Sequence, residues 1–143
     1  MSTLKVNTIQ NTSAAHSSTP EEIAQGRAKA WVNMNAEPAE SIRDSFNVSS
    51  FTDNGTGDFV INFANALSSA NYLVVNSASR GQDSGTDVCN WGGVHTQTVN
   101  GFGMGVFQTN SGFSSTISRS DLVEFLHIVV YGDWYIIKEK PYG

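Results

Sequence analysis

A chain of 143 residues is long enough for one domain with a modest core of its own. Charged residues make up 15% of it, against about 25% in an ordinary globular protein, and Ser, Thr, Asn and Gly fill the gap, which suits many turns and short strands with a surface of hydroxyls and amides. A net charge of -5 with only eight scattered Lys and Arg argues against nucleic acid or an anionic membrane as partner, because phosphate recognition needs clustered cations.

Residues 1–18 form a polar leader. Leu4, Val6 and Thr8 alternate and Ile9 follows; Asn11 to Ala15 and then His16 to Thr19 read as a linker. A leader this thin cannot bury its own apolar residues, so it is expected to be disordered or to pair with another chain. The start of the chain has neither a cationic stretch nor an apolar signal core, and export by signal peptide is not expected.

Residues 19–30 carry the helix signal. Thr19 is placed to be the N-cap, Pro20 stands at the first helical position, and Glu22 completes a Thr-x-x-Glu capping box. Gly26 and the β-rich "WVNM" beyond it limit the helix to two or three turns. Ile23 and a few Ala are its only apolar surface, so it needs an outside surface or symmetric copies of itself.

From Ala30 onward the signals are those of strands, and residues 31–143 read as one β domain. In "SIRDSFNVSS", Ile42, Asp44, Phe46 and Val48 alternate with polar neighbours; "DFVINF" sets Phe59, Ile61 and Phe63 on one face; "FGMGVFQ" sets Phe102, Met104 and Val106 on one face with Gly103 and Gly105 opposite. "NYLVVNSAS", "HTQTV" and "FSSTIS" add further strands. "LVEFLHIVVYGDWYII" is apolar at nearly every position and predicts a central strand buried on both faces, with a buried His127. Turn signals every 8 to 15 residues, and no alternation of helix with strand, predict an all-β fold: an antiparallel β-sandwich, jelly-roll-like, with a short N-terminal strand and helix. Its longest nearly apolar run, "FLHIVVY", is too short to span a membrane.

Between two of these strands stands Asp53-Asn54-Gly55-Thr56-Gly57-Asp58. An EF-hand-like loop opening at Asp53 wants Gly at its sixth place and Glu at its twelfth, but Asp58 and Ala64 stand there. As the turn of a hairpin it succeeds. Gly55 and Gly57 accept positive φ, and Asp53 can bond to backbone ahead of it, with Phe46 and Val48 then sharing a core with Phe59, Ile61 and Phe63.

"TPEEIAQGRAKAWVN", followed by "IRDSFNVSSFTDNGTGDFVINF" and "NYLVV", resembles a module of tail fibre and related virion proteins of tailed phages, particularly those of cyanobacteria and other marine bacteria. The leader "LKVNTIQNTS" is similar to the segment that commonly precedes it. The resemblance covers the first half in detail, and residues 80–118 carry none of its motifs. It implies a homotrimeric fibre or spike domain in the virion tail, made in the host cytoplasm, joined to other tail proteins through residues 1–18 and adsorbing to the host surface without catalysis. The alternative is a structural tail protein that contacts only virion proteins.

Catalysis finds little support. A glycan-cleaving enzyme needs two carboxylates about 5 to 10 Å apart across a cleft, and Asp53, Asp58, Asp83 and Asp87 all lie in turn-like stretches. His16, His95 and His127 are too far apart for a local metal site, although a trimer axis would bring three copies of His95 together; no cofactor is expected. Cys89 is the lone cysteine and reads as a small core residue.

Sugar binding needs flat aromatic faces with amides and carboxylates for the hydroxyls. "RGQDSGTDVCNWGGVHTQ" has that vocabulary, and Asp87, Asn90, Trp91 and His95, with Asn110 in a second loop, are the candidate ligand residues for a host polysaccharide or lipopolysaccharide. Gly92 and Gly93 behind Trp91 predict a turn or bulge there.

Overall fold

The computed structural model describes residues 2, 4–13, 17–36, 40–79, 90–109, 117–119 and 123–132. The fold is all-β and antiparallel with one short helix. Its strands are β1 (Ile9–Gln10), β2 (Ser17–Ser18), β3 (Ala30–Asn35), β4 (Ser41–Phe46), β5 (Val48–Asp53), β6 (Asp58–Phe63), β7 (Tyr72–Ser79), β8 (Asn90–Thr98), β9 (Gly101–Thr109), β10 (Ile117–Arg119) and β11 (Phe125–Gly132). The helix α1 spans Pro20–Gly26. No helix among the described residues is long and apolar enough to cross a membrane.

The capping box forms as the sequence dictates. Glu22 N donates to Thr19 Oγ1 at 3.2 Å, and Thr19 N donates to Glu22 Oε2 at 2.7 Å. Two turns later Arg27 is already extended. Lys29 is buried, its Nζ donating to the Ala24 carbonyl and its backbone N–H to the Val130 carbonyl, so the helix exit is tied to β11.

Among the described residues β1 and β2 pair with each other and not with the larger sheet. The remaining order is β4-β3-β11-β7-β8-β9-β6-β5, with β10 beside β9 beyond the end of β6. Strands β4 and β5 lie at opposite ends of that order, yet only Asn47 separates them in the chain. The sheet therefore curls until its two ends meet at this corner. Asn47 takes φ 54 there, a conformation Asn tolerates better than most residues. Its amide holds both sides, donating to the Lys29 and Asn65 carbonyls at 3.2 Å each and accepting from Asn65 N at 2.8 Å.

Curling encloses one face of the sheet as the core. Ala30, Val32 and Met34 of β3 and Leu126, Ile128 and Val130 of β11 meet Phe59, Ile61 and Phe63 of β6 and Phe102, Met104 and Val106 of β9. Tyr72 closes one end in edge contact with Phe63 and Phe102. Its hydroxyl is 2.7 Å from the Gly101 carbonyl and 3.1 Å from that of Thr98. Burial raises the Tyr72 pKa, more than the Thr98 carbonyl contact lowers it.

Among the described residues the ladder between β7 and β8 holds the pair Ala78↔Asn90, and side chains add further bridges. Asn76 Nδ2 donates to the Gly92 carbonyl at 3.2 Å and its Oδ1 accepts from Gly92 N at 3.1 Å; Gln97 Nε2 donates to the Tyr72 carbonyl at 2.9 Å.

Four sequence expectations are corrected. Phe46 does not join the core: a bulge opposite Asn33 and Met34 takes up Arg43, shifts the alternation, and turns Phe46 outward while Ile42 and Val48 pack inward. Strand β11 is buried on one face only, and Phe125, His127 and Tyr131 lie on the exposed side. His127 is accordingly not a core histidine; its ring meets Phe125 edge-on, centroids 6.4 Å apart. Gly92 and Gly93 are inside a strand rather than a turn. A Cβ on Gly92 would lie 2.5 Å from Met104 Cε and 2.6 Å from Asn76 Oδ1, so any side chain there would have to displace the ends of both.

Candidate functional site

The hairpin between β5 and β6 builds the first wall of the site. Asp53 Oδ1 accepts from Gly55 N at 2.7 Å, Asn54 N donates to the Asp58 carbonyl, and Asp58 N to that of Gly55, each at 2.8 Å. Gly55 and Gly57 take the positive φ values, 113° and 60°. This turn delivers Asp58 to the outer face at the start of β6, where the alternation that buries Phe59, Ile61 and Phe63 leaves Asp58, Val60 and Asn62 outside.

Strand β9 supplies the floor. Phe102, Met104 and Val106 point into the core, so Gly101, Gly103 and Gly105 fall on the outer face. Register sets Asp58 of β6 and Gly93 of β8 against Gly105, Val60 and Thr96 against Gly103, and Asn62 and Thr98 near Gly101. The missing side chains are replaced by rings from elsewhere. A Cβ on Gly103 would lie 2.5 Å from His95 Cε1, and one on Gly105 would lie 2.9 Å from the Phe107 ring.

The second wall, β8, bulges between Val94 and Thr96, and His95 is the extra residue. A bulge re-aims a side chain, and here it lays the imidazole over Gly103 toward Asp58. His95 Nε2 lies 3.2 Å from Asp58 Oδ1, and Nδ1 lies 3.0 Å from Thr96 Oγ1. Arg119 of β10 donates to Asp58 Oδ2 at 2.7 Å and stacks over Phe107 at 5.6 Å. Burial acts to raise the Asp58 pKa, but the hydrogen bonds from His95 and Arg119 and the Arg119 charge outweigh it, and the net shift is downward. Ionised Asp58 can only accept, so Nε2 carries a proton; in the neutral imidazole Nδ1 then accepts from the Thr96 hydroxyl.

Beside this trio lies a groove of about 310 Å³ lined by Asn54, Val60, Asn62, His95, Thr96, Thr98 and Asn100 over Gly101 and Gly103. Asn62 Nδ2 is committed to Ser50 and Thr52 at 3.2 and 3.3 Å; its Oδ1 has no protein donor among the described residues. Thr98 Oγ1 is spent within its own turn, donating to the Gly101 carbonyl and accepting from Asn100 N. Both carboxylate oxygens of Asp58 are occupied. Amide and hydroxyl groups and one imidazole edge thus stand around a groove whose lining also includes the apolar surface of Val60, Phe102 and the glycine backbone of β9. That set suits a neutral, polyhydroxylated ligand.

Of the residues singled out in the sequence, His95 is in this site. Asp87 and Asn110 lie outside the described residues, as do the side chains of Asn90 and Trp91, although β8 places Trp91 in register with Phe107, which also pairs with Arg119. Asp58, read from the sequence as a turn acid, anchors the cluster. Asn62 and Arg119 escaped sequence reasoning. The outward position of Asn62 in "DFVINF" was a usable signal for one of them; nothing local marks Arg119. Among the described residues no three His, Cys, Asp or Glu gather as a metal site. No family model, curated protein or solved structure matches the chain.

Proposed function

We propose that this chain is a non-catalytic recognition domain of a phage tail fibre that takes a neutral host-surface glycan in the groove over β9. The observation carrying the reading is the groove's chemistry: amide and hydroxyl groups stand around it beside apolar surface, while the one carboxylate at its end is already hydrogen-bonded to His95 and ion-paired with Arg119. Sugar hydroxyls pair with such groups without the cost of stripping water from an unpaired charge. The fibre assignment rests on the sequence resemblance of the first half. With it go a jelly-roll-like sandwich, a homotrimer, and attachment to other tail proteins through residues 1–18. Three linked grooves would turn weak single-site binding into useful avidity.

Calorimetric titration with bacterial surface polysaccharides and lipopolysaccharides tests this. Binding by wild type, weakened by Asn62→Ala and by Trp91→Ala, with no release of reducing ends, is the expected result. No binding by the folded wild-type protein to any of them would overturn it. The second reading, a structural tail protein contacting only virion proteins, is favoured by one observation: the exposed apolar side chains on the opposite half of the sheet.

A further inference from the structure

The outer face of β4, β3, β11 and β7 carries a feature that the groove does not use. Register aligns Phe46 with Trp31, Trp31 with Val129, and Val129 with Val75, a single row across four strands; Tyr131 and Leu73 form the adjoining pair. Leu73 is 61% exposed, Phe46 54%, Val75 49% and Tyr131 37%, with Trp31 and Val129 half-buried. Strands covered by solvent on one side ordinarily put polar residues there.

We propose that this row is the surface through which copies of the chain associate. The inference deepens the trimeric reading above, on which it rests, by naming the face. The area fits. Taking about 150–250 Å² for a whole large side chain, the row leaves roughly 400 Å² of apolar surface open. That lies within the roughly 300–600 Å² of the largest patch on a typical monomer, which is often functional. A standard interface takes about 800 Å² from each partner, a little over half of it apolar, so the row supplies most of the apolar core that one subunit must bring.

Charge points to the same occupant. The row holds no ionisable group except the Tyr131 phenol. At its margins Arg43 is spent on Glu124, at 3.9 Å, and on the Phe125 ring, at 4.6 Å, while Asp44 accepts from Ser45 N and stands across Asn33 from His127. Arg27, which shares a cavity with Phe46, is the cation at the β4 end of the row; along the row itself two chains of net charge -5 can meet without setting like charges together.

Light scattering on size-fractionated protein, with Phe46→Lys/Val75→Lys beside wild type, tests the proposal. Both positions are exposed, so the variant should keep the wild-type circular dichroism. A wild-type oligomer that falls to the 15.4 kDa monomer in the variant is the expected outcome. A variant that stays oligomeric overturns this face as the interface and leaves the trimer standing. A monomeric wild type overturns both. Hydroxyl-radical footprinting of wild type needs no variant: Phe46, Leu73 and Tyr131 should lose reactivity as the protein is concentrated, and unchanged reactivity in an oligomer refutes the assignment.

Discussion

Alanine at Gly101 and alanine at Gly103 should have opposite consequences, although the two positions lie two residues apart on the same face of β9. At Gly101 the new Cβ would lie 2.1 Å from the Ile61 carbonyl oxygen and 3.2 Å from Asn62 Cα, and the backbone has φ 157, which L side chains rarely adopt. Backbone cannot swing aside, so β6 must be pushed off β9. Overpacking costs about 1–3 kcal/mol and a strained backbone conformation a similar amount, which together make a loss of about 3–4 kcal/mol. In a domain this size that lowers Tm by about 10 °C. At Gly103 the Cβ would meet the His95 ring at 2.5 Å, but that side chain is 42% exposed and can rotate away. Gly103→Ala should cost under about 1 kcal/mol while separating His95 from Asp58 and altering ligand binding. Urea unfolding followed by circular dichroism measures both. If Gly101→Ala lies within about 0.5 kcal/mol of wild type, or Gly103→Ala is equally damaging, the account of the β9 floor is wrong.

Asp58→Asn should change stability at neutral pH by no more than about 1 kcal/mol, since its partners are partly exposed. The sign follows from the lowered pKa: the native state holds the ionised form more firmly than the unfolded chain does. This contribution is present above the ordinary carboxylate value of 3.8 and disappears as pH falls through the lower native value. Urea midpoints measured from pH 5 downward should therefore fall less steeply in Asp58→Asn than in wild type; parallel curves would count against the cluster. Asn76→Ala should cost about 2–3 kcal/mol by stranding the Gly92 N–H and carbonyl, and should speed hydrogen exchange at the Gly92 amide. Unchanged exchange there would mean that Asn76 does not hold the seam between β7 and β8.

Local features were the legible ones. Thr19, Pro20 and Glu22 announce a helix start because all the partners lie within one turn of chain. Asp53 through Asp58 announce a hairpin because the positive-φ glycines and the side-chain acceptor lie within the loop. The alternation of Phe102, Met104 and Val106 with glycines declared both faces of β9. What failed depended on a neighbouring strand. Phe46 is outward because β4 bulges against β3, and the sequence of β4 looks the same with or without that bulge. Gly92 and Gly93 read as a turn or bulge because glycine marks turns, bulges and close approaches alike; the pairing with β9 puts them inside the strand, with the bulge two residues further on at His95.

The candidate site shows the same division. The amide- and hydroxyl-rich composition pointed toward a polar ligand, and His95 was picked out by its neighbourhood. Asp58, His95 and Arg119 come from three separate strands, and no spacing along the chain announces their meeting. Strand β11 marks the limit most clearly. Its nearly unbroken apolar run, interrupted only by His127, specifies two largely apolar faces, and the sequence by itself determined that much. Whether the second face is covered by the chain's own core or left for another molecule is a property of the curl of the sheet. Asn47 joins the two ends of the curled sheet, and only the tertiary structure could place Leu126, Ile128 and Val130 inside and leave the opposite face open.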